Sequence, residues 1–159
     1  MDIERKFTIK QLPENLDSYP HVAITQAYLC TEPVMRIRRQ DSDYIFTYKG
    51  KGLMMREEYN LPLTKEAFEQ LLPKAEGSII SKTRYLIPLN AADAGIADDV
   101  PLQIELDLFE SPTKLIMAEV EFPDEASALA FRPPVWFDRD VTDDPAYHNS
   151  NMSKIKNGK

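Results

Sequence analysis

Charged residues in this chain recur in pairs one residue apart: Asp2 and Glu4, Arg36 and Arg38, Lys82 and Arg84, Glu105 and Asp107, Glu119 and Glu121. Successive side chains of a β-strand point to opposite faces, so each pair shares a face. The positions between them are Ile3, Ile37, Thr83, Leu106 and Val120, which belong to the other face. A period of two repeated along a whole chain predicts strands with one apolar and one charged side. A sheet face that simply meets water would use Thr, Ser, Gln and Lys freely, and this one repeats like-charged doublets instead.

In chain order, residues 2–10 read as a strand with Asp2, Glu4 and Lys6 on one face. Residues 23–31, 34–40 and 44–49 follow as strands, with Glu32-Pro33 and Asp41-Ser42-Asp43 as turns. Gly50-Lys51-Gly52 is a hairpin signal, and 53–61 reads as one strand placing Arg56, Glu58 and Asn60 opposite Met55, Glu57 and Tyr59. Ala67, Phe68, Leu71 and Leu72 then switch to helical spacing, with Thr64 as N-cap and Gly77 as the stop. Strands resume at 79–89, 102–109 and 115–122, separated by a small acidic loop over 90–99 and a turn at Ser111-Pro112. A short amphipathic helix is expected over 124–131, stopped by Pro133-Pro134, and the polar tail from Thr142 is expected to be partly helical.

This gives about eight strands joined mostly by short turns, hence antiparallel, and that number is enough to close a barrel. The expected class is mainly β with a few helices packed outside: a single domain over 1–159 with no internal repeat. At 159 residues, 43% hydrophobic and 28% charged, the chain can bury a core. A net charge of -7 argues against a dedicated nucleic-acid binder. The single cysteine, Cys30, excludes a disulfide framework and a zinc cluster. No apolar h-region opens the chain and no run approaches a membrane span, so a cytoplasmic protein is expected, as monomer or homodimer.

Two arrangements fit the charged face. It meets water while the apolar face packs on helices, or it lines the lumen of a barrel. The second costs several kcal/mol per ion unless the ions are paired, solvated or bound to a ligand, so such a lumen would be functional. Clustered Arg and Lys suit a polyanion. Clustered carboxylates suit a hard divalent cation, and Mg²⁺ binds through few carboxylates plus phosphate oxygens. Together the two sets describe a metal–polyphosphate site.

The same residues carry a family resemblance. Asp2-x-Glu4-x-Lys6 resembles the ExExK signature of the CYTH superfamily, the triphosphate tunnel metalloenzymes. Further matches are RIR at Arg36–Arg38, Lys49-Gly50, REEY at Arg56–Tyr59, KTRY at Lys82–Tyr85, ELDLF at Glu105–Phe109 and AEVEF at Ala118–Phe122. The tail PPVWF…VTDDPAYHNSN is similar to that of small bacterial members. The resemblance implies an eight-stranded antiparallel closed tunnel that hydrolyses inorganic triphosphate with Mg²⁺ or Mn²⁺. It implies metal on Asp2, Glu4, Glu119 and Glu121. Phosphates would be gripped by Lys6, Arg36, Arg38, Lys49, Arg56, Lys82 and Arg84. Glu58, Glu105 and Asp107, with Lys6, would be catalytic, orienting the cations or the attacking water.

Asp2 stands where the family usually has Glu, and Asn60 where some relatives carry an acid. The His-Phe lead-in of class IV adenylate cyclases is missing, which favours a hydrolase over a cyclase. Nucleoside triphosphatase, thiamine triphosphatase and class IV-like adenylate cyclase activities stay open alternatives, as does a non-catalytic polyphosphate-binding module. No P-loop or adenine pocket is visible. Cys30 and Trp136 are read as packing residues, His21 and His148 as surface residues, with His148 beside Tyr147 and Asn149 near enough to fold over a tunnel mouth, and Arg5, Arg39 and Glu57 as pointing outward.

Overall fold

The computed structural model describes residues 1–96 and 101–155. Among the described residues, ten strands form one antiparallel sheet. They are β1 (Asp2–Ile9), β2 (His21–Thr31), β3 (Val34–Gln40), β4 (Asp43–Lys49), β5 (Met55–Arg56), β6 (Glu58–Pro62), β7 (Glu76–Leu89), β8 (Leu102–Ser111), β9 (Leu115–Glu121) and β10 (Phe137–Asp140). Their order is β10-β1-β9-β8-β7-β2-β3-β4-β6, and β5 pairs back onto β1.

That last pairing turns the sheet into a tunnel. β6 lies on β4 through Lys49↔Glu58 and Thr47↔Asn60, while β5 lies on β1 through Asp2↔Arg56 and Ile3↔Met55. The run expected as one strand over 53–61 is therefore split at Glu57, because its two halves serve different partners. The Met54 carbonyl accepts from the Glu4 N–H, and the Glu57 carbonyl accepts from the Gly50 N–H. With that run counted as one stave, eight staves close the ring. β10 is the strand that the sequence reading lacked. Its residues FDRD show no alternation, and it exists because the far edge of β1 offers partners at Phe7 and Ile9.

The apolar outer face is covered in two places. Helix α1 (Lys65–Leu71) lays Phe68 over Ala27 and Ile37, with Tyr44 and Phe46 beside it. Its N-cap Thr64 accepts from the Ala67 N–H at 3.0 Å, a contact worth about 1 kcal/mol. Helix α2 (Glu125–Ala130), capped by Asp124, and the chain after it bring Ala128, Phe131 and Phe137 onto Ile3, Phe7, Leu106 and Val120. Of the loop expected over 90–99, residues 97–99 lie outside the described residues.

One lumen end is apolar. Tyr28, Val34, Ile80, Phe109 and Met117 sit at the parity of the charged residues but form a buried cluster, roofed by Val141 and Met152. The roof is the tail, a 3-10 helical turn at Pro145–Tyr147 followed by α3 (Asn149–Met152). The tail crosses β7 at Gly77, which does not stop α1 as expected but lies inside the strand. Gly77 has φ +71, and a Cβ there would fall 2.3 Å from the Ser153 carbonyl oxygen. Among the described residues, no helix is long and apolar enough to cross a membrane.

Candidate active site

The charged doublets point inward. Thirteen of the predicted site residues (Asp2, Glu4, Lys6, Arg36, Arg38, Lys49, Arg56, Glu58, Lys82, Arg84, Glu105, Glu119 and Glu121) line one cavity of about 390 Å³. Asp107 is the exception. It lies behind the wall, where it accepts a two-pronged contact from Arg84 at 2.8 and 2.9 Å and another from Lys82 at 2.8 Å. It positions two cations and does not reach the cavity, which removes it from the groups able to touch a substrate.

Register explains the pairs. Lys6 faces Glu119 across β1 and β9, and its Nζ donates to Glu119 at 2.6 Å and to Glu4 at 3.0 Å. Lys49 faces Glu58 across β4 and β6, at 3.1 Å, with Asp2 at 3.4 Å. Arg84 faces Asp107 across β7 and β8 and also donates to Glu105 at 3.1 Å. Although burial opposes it, Glu119 and Glu4 hold Lys6 charged above its ordinary range. Burial likewise opposes the charge on Glu119, yet Lys6 and Arg84 hold that carboxylate well below the ordinary carboxylate range. These contacts satisfy Lys6, Lys49 and Arg84.

Three arginines of the lining are not satisfied in this way. Arg36 donates Nη2 to the Thr47 hydroxyl at 3.1 Å, and its buried Nε has no partner. Arg38 donates Nε to the Gln26 side-chain carbonyl at 2.9 Å, and Arg56 donates Nε to the Gly50 carbonyl at 3.1 Å. Among the described residues, none of the three makes an ion pair. Burial and the neighbouring Arg36 and Arg84 weaken the hold of Arg38 on its proton, but a guanidinium stays charged in a protein. Lys82 is pushed down to about 7 by burial, with Arg84 and Arg38 working against the pull of Asp107. A wall of buried cations with neutral partners costs several kcal/mol per ion, and an anion in the cavity removes that cost.

Around β1 and β9 the excess is negative. Asp2 is pushed up to about 8 by burial and Glu4, with Glu58 and Glu121 adding to it and Lys49 opposing. Glu4 and Glu121 are cross-strand neighbours on β1 and β9. Among the described residues, no three acidic, His or Cys side chains converge as a closed metal cage. A hard divalent ion completed by water and phosphate oxygens needs only one or two carboxylates, and this crowded acidic wall is the donor chemistry it takes. The residues present fit such an ion.

The tail supplies site residues that pattern reading missed. His148 is 5% exposed and so is not a surface residue. Its Nε2–H donates to the Thr142 carbonyl at 3.0 Å, and burial and Lys6 push its pKa down. The Asn149 side-chain oxygen Oδ1 accepts from Lys82 Nζ at 3.0 Å and from Gln26 Nε2 at 3.2 Å. No strand periodicity marks either residue, because the start of α3 brings them in. The remaining expectations hold in outline. Arg5 lies outside the lumen, clamped to Asp140 and the Ala128 carbonyl. Cys30 Sγ donates to the Pro33 carbonyl, His21 is exposed, and Trp136 packs against the core beneath α2.

Comparison with known families matches residues 1–122 to the CYTH domain. The inorganic triphosphatase of Nitrosomonas europaea is 36% identical over 156 residues, spanning 96% of this chain and 96% of the relative. That of Acetivibrio thermocellus is 31% identical over 163 residues, spanning 96% and 93%. Among solved structures, the crystal structure of an inorganic triphosphatase is similar at a TM-score of 0.69 and 33% identity, covering 99% of this chain and 97% of that one. A Pyrococcus horikoshii protein at 17% identity and a TM-score of 0.58 shares the fold alone, over 82% and 83% of the two chains.

Proposed function

The chain belongs to the CYTH family, and on that premise we propose that it hydrolyses inorganic triphosphate to pyrophosphate and phosphate inside the charged tunnel. The observation that carries the reading is the wall of Arg36, Arg38 and Arg56, buried or half-buried guanidiniums that face the cavity without a carboxylate. Guanidinium forks match phosphate oxygens, and several at once match a polyphosphate. Among the described residues, nothing comparable in the lumen would recognise a base or a thiazolium ring, so the inorganic anion is the preferred substrate.

In this reading Arg36, Arg38, Arg56 and Lys82 hold the phosphates, while Lys49 and Arg84 reach them from between their carboxylate partners. Lys6 has a different part. Clasped by Glu4 and Glu119, it fixes both carboxylates in place and holds Glu119 ionised. Glu4, Glu119 and Glu121, with Asp2, hold Mg²⁺ or Mn²⁺, which when bound neutralises charge on the phosphoryl group. Glu105 faces the cavity, and burial raises its pKa against the pull of Arg84. A carboxylate of raised pKa is the better proton acceptor, so Glu105 takes the proton of the attacking water as the bridging P–O bond breaks toward pyrophosphate. Glu58 is a second acid at the cavity wall, held below its ordinary range, against burial, by Lys49, and it orients water rather than accepting its proton. The chain over 1–159 acts as one domain.

The test is phosphate release from tripolyphosphate and, separately, ATP, with Mg²⁺, with Mn²⁺ and with chelator, using Glu4→Gln as control. Metal-dependent release from tripolyphosphate that is lost in Glu4→Gln is expected. Faster release from ATP would mean that the tunnel reads the organic group. Tight tripolyphosphate binding with no release under any condition would leave a binding module in place of an enzyme.

A further inference from the structure

Arg36 is held by a relay whose direction is forced. Its Nη2 donates to Thr47 Oγ1 at 3.1 Å, Thr47 Oγ1 donates to Asn60 Oδ1 at 2.6 Å, and Asn60 Nδ2 donates to Glu58 Oε2 at 3.2 Å. The Glu58 carboxylate, held ionised by Lys49, can only accept. Asn60 must therefore turn its amide nitrogen toward Glu58 and its oxygen toward Thr47. That oxygen can only accept, so the single hydroxyl proton of Thr47 goes to Asn60. Oγ1 is left as a pure acceptor for the guanidinium.

Thr47 is fully buried at 0% exposure, on β4 directly opposite Asn60 of β6 and Arg36 of β3. Asn60 itself is exposed at the open edge of β6. The relay gives Arg36 a neutral partner on one side and leaves its buried Nε with none. Aspartate at position 60 would set an oxygen against the Glu58 carboxylate where the amide N–H now lies and would bring a negative charge near the guanidinium. Asparagine carries the same shape without that charge. Thr47 and Asn60 thus fix where the guanidinium points without neutralising it.

We infer that Thr47 is a positioning residue for substrate binding, acting through Arg36, and that Asn60 sets the direction of its hydroxyl. The inference rests on the proposed reading that Arg36 grips the triphosphate. An interaction that holds ground state and transition state alike appears in KM and leaves kcat in place. A hydrogen bond to a charged group is large enough to move binding by about tenfold.

The experiment compares wild type, Thr47→Val, Thr47→Ser and Asn60→Asp. It measures kcat and KM for tripolyphosphate with Mg²⁺, the metal-free Kd for tripolyphosphate by calorimetry, and the melting temperature. The expected result is KM and Kd about tenfold higher in Thr47→Val with kcat within about threefold. Values in Thr47→Ser should be close to wild type, because serine restores the hydroxyl. Asn60→Asp should weaken binding in the same way without loss of fold. A Thr47→Val protein that melts lower but binds and turns over like wild type assigns Thr47 a purely structural part and overturns the inference. If Thr47→Val fails to fold, wild-type affinity in Asn60→Asp overturns the directional relay. A wild-type protein that does not bind tripolyphosphate overturns the reading on which the inference stands, and that outcome is separate from the others.

Discussion

Lys82 Nζ and Asp107 Oδ2 lie 2.8 Å apart with side-chain exposures of 0% and 1%, yet this closely paired lysine is pushed down to about 7. Burial is the leading cause, and Arg84 and Arg38 add repulsion. A bound polyanion reverses that balance. At pH 8 the empty tunnel holds Lys82 mostly neutral, and phosphate oxygens beside it restore its charge, so binding should take up a proton. Calorimetry of metal-free tripolyphosphate binding in buffers of different ionisation heat measures this. Uptake at pH 8 should exceed that of Lys82→Met, and equal uptake in the two proteins refutes the assignment.

The same residue should show function and stability in opposition. Its folded-state pKa lies below the unfolded 10.5, so below about 7 the protein carries the full penalty of a buried charge. That penalty is relieved as pH rises from there toward 10.5. Lys82→Met removes it and leaves Asp107 still forked by Arg84. The variant should melt at or above wild type at pH 6 and bind tripolyphosphate at least tenfold more weakly. A large drop in melting temperature would show that the pair is net stabilising.

Glu119 behaves in the other sense. Its folded-state pKa is held well below the unfolded value of 4.5. Its contribution to stability is therefore present above pH 4.5 and lost as pH falls through the lower folded value. Glu119→Gln leaves Lys6 with Glu4 alone and should cost about 3 kcal/mol in urea unfolding at pH 7. The gap between variant and wild type should narrow as the acid limb is approached. A gap independent of pH would point to packing.

Gly77→Ala should release the tail. The position needs φ +71 and has no room for a Cβ beneath Ser153, while the neighbouring Ser78 N–H donates to the Ser153 carbonyl at 2.6 Å and the Ser78 hydroxyl donates to that of Ile155. A cost of about 1–3 kcal/mol is expected. Limited proteolysis should cut after Val141 sooner than in wild type. An unchanged cleavage pattern would mean that the tail is held elsewhere.

What was legible in the sequence was whatever repeats with the period of a strand. Parity alone placed Arg36 with Arg38 and Glu119 with Glu121, because a shift of one residue would move a whole strand to the wrong face. What parity cannot show is depth along the lumen or partner choice across it. Ile80 and Met117 have the same parity as Lys82 and Glu119, yet they belong to the apolar floor. Asp107 alternates with Glu105 but lies behind the wall, since Arg84 and Lys82 both converge on it. The split at Glu57 and the strand at Phe137–Asp140 exist only because β1 has edges to fill. His148 and Asn149 enter the site at the start of the one-turn helix α3, too short for a helical pattern to point to them.

The closing of the tunnel at β1 also sets an order of assembly. β1 is the first strand in the chain, and its partners are β5, β9 and β10, through contacts such as Asp2↔Arg56, Lys6↔Glu119 and Phe7↔Asp140. Strands β2, β3 and β4 can pair with neighbours as the chain emerges, whereas the pairing of β1 with β9 and β10 must wait for the last third. Such distant pairing makes folding slow. Asp2, Glu4 and Lys6 therefore stand at the seam of the barrel, and the Lys6–Glu119 pair of the site joins the two ends of the family-matched segment.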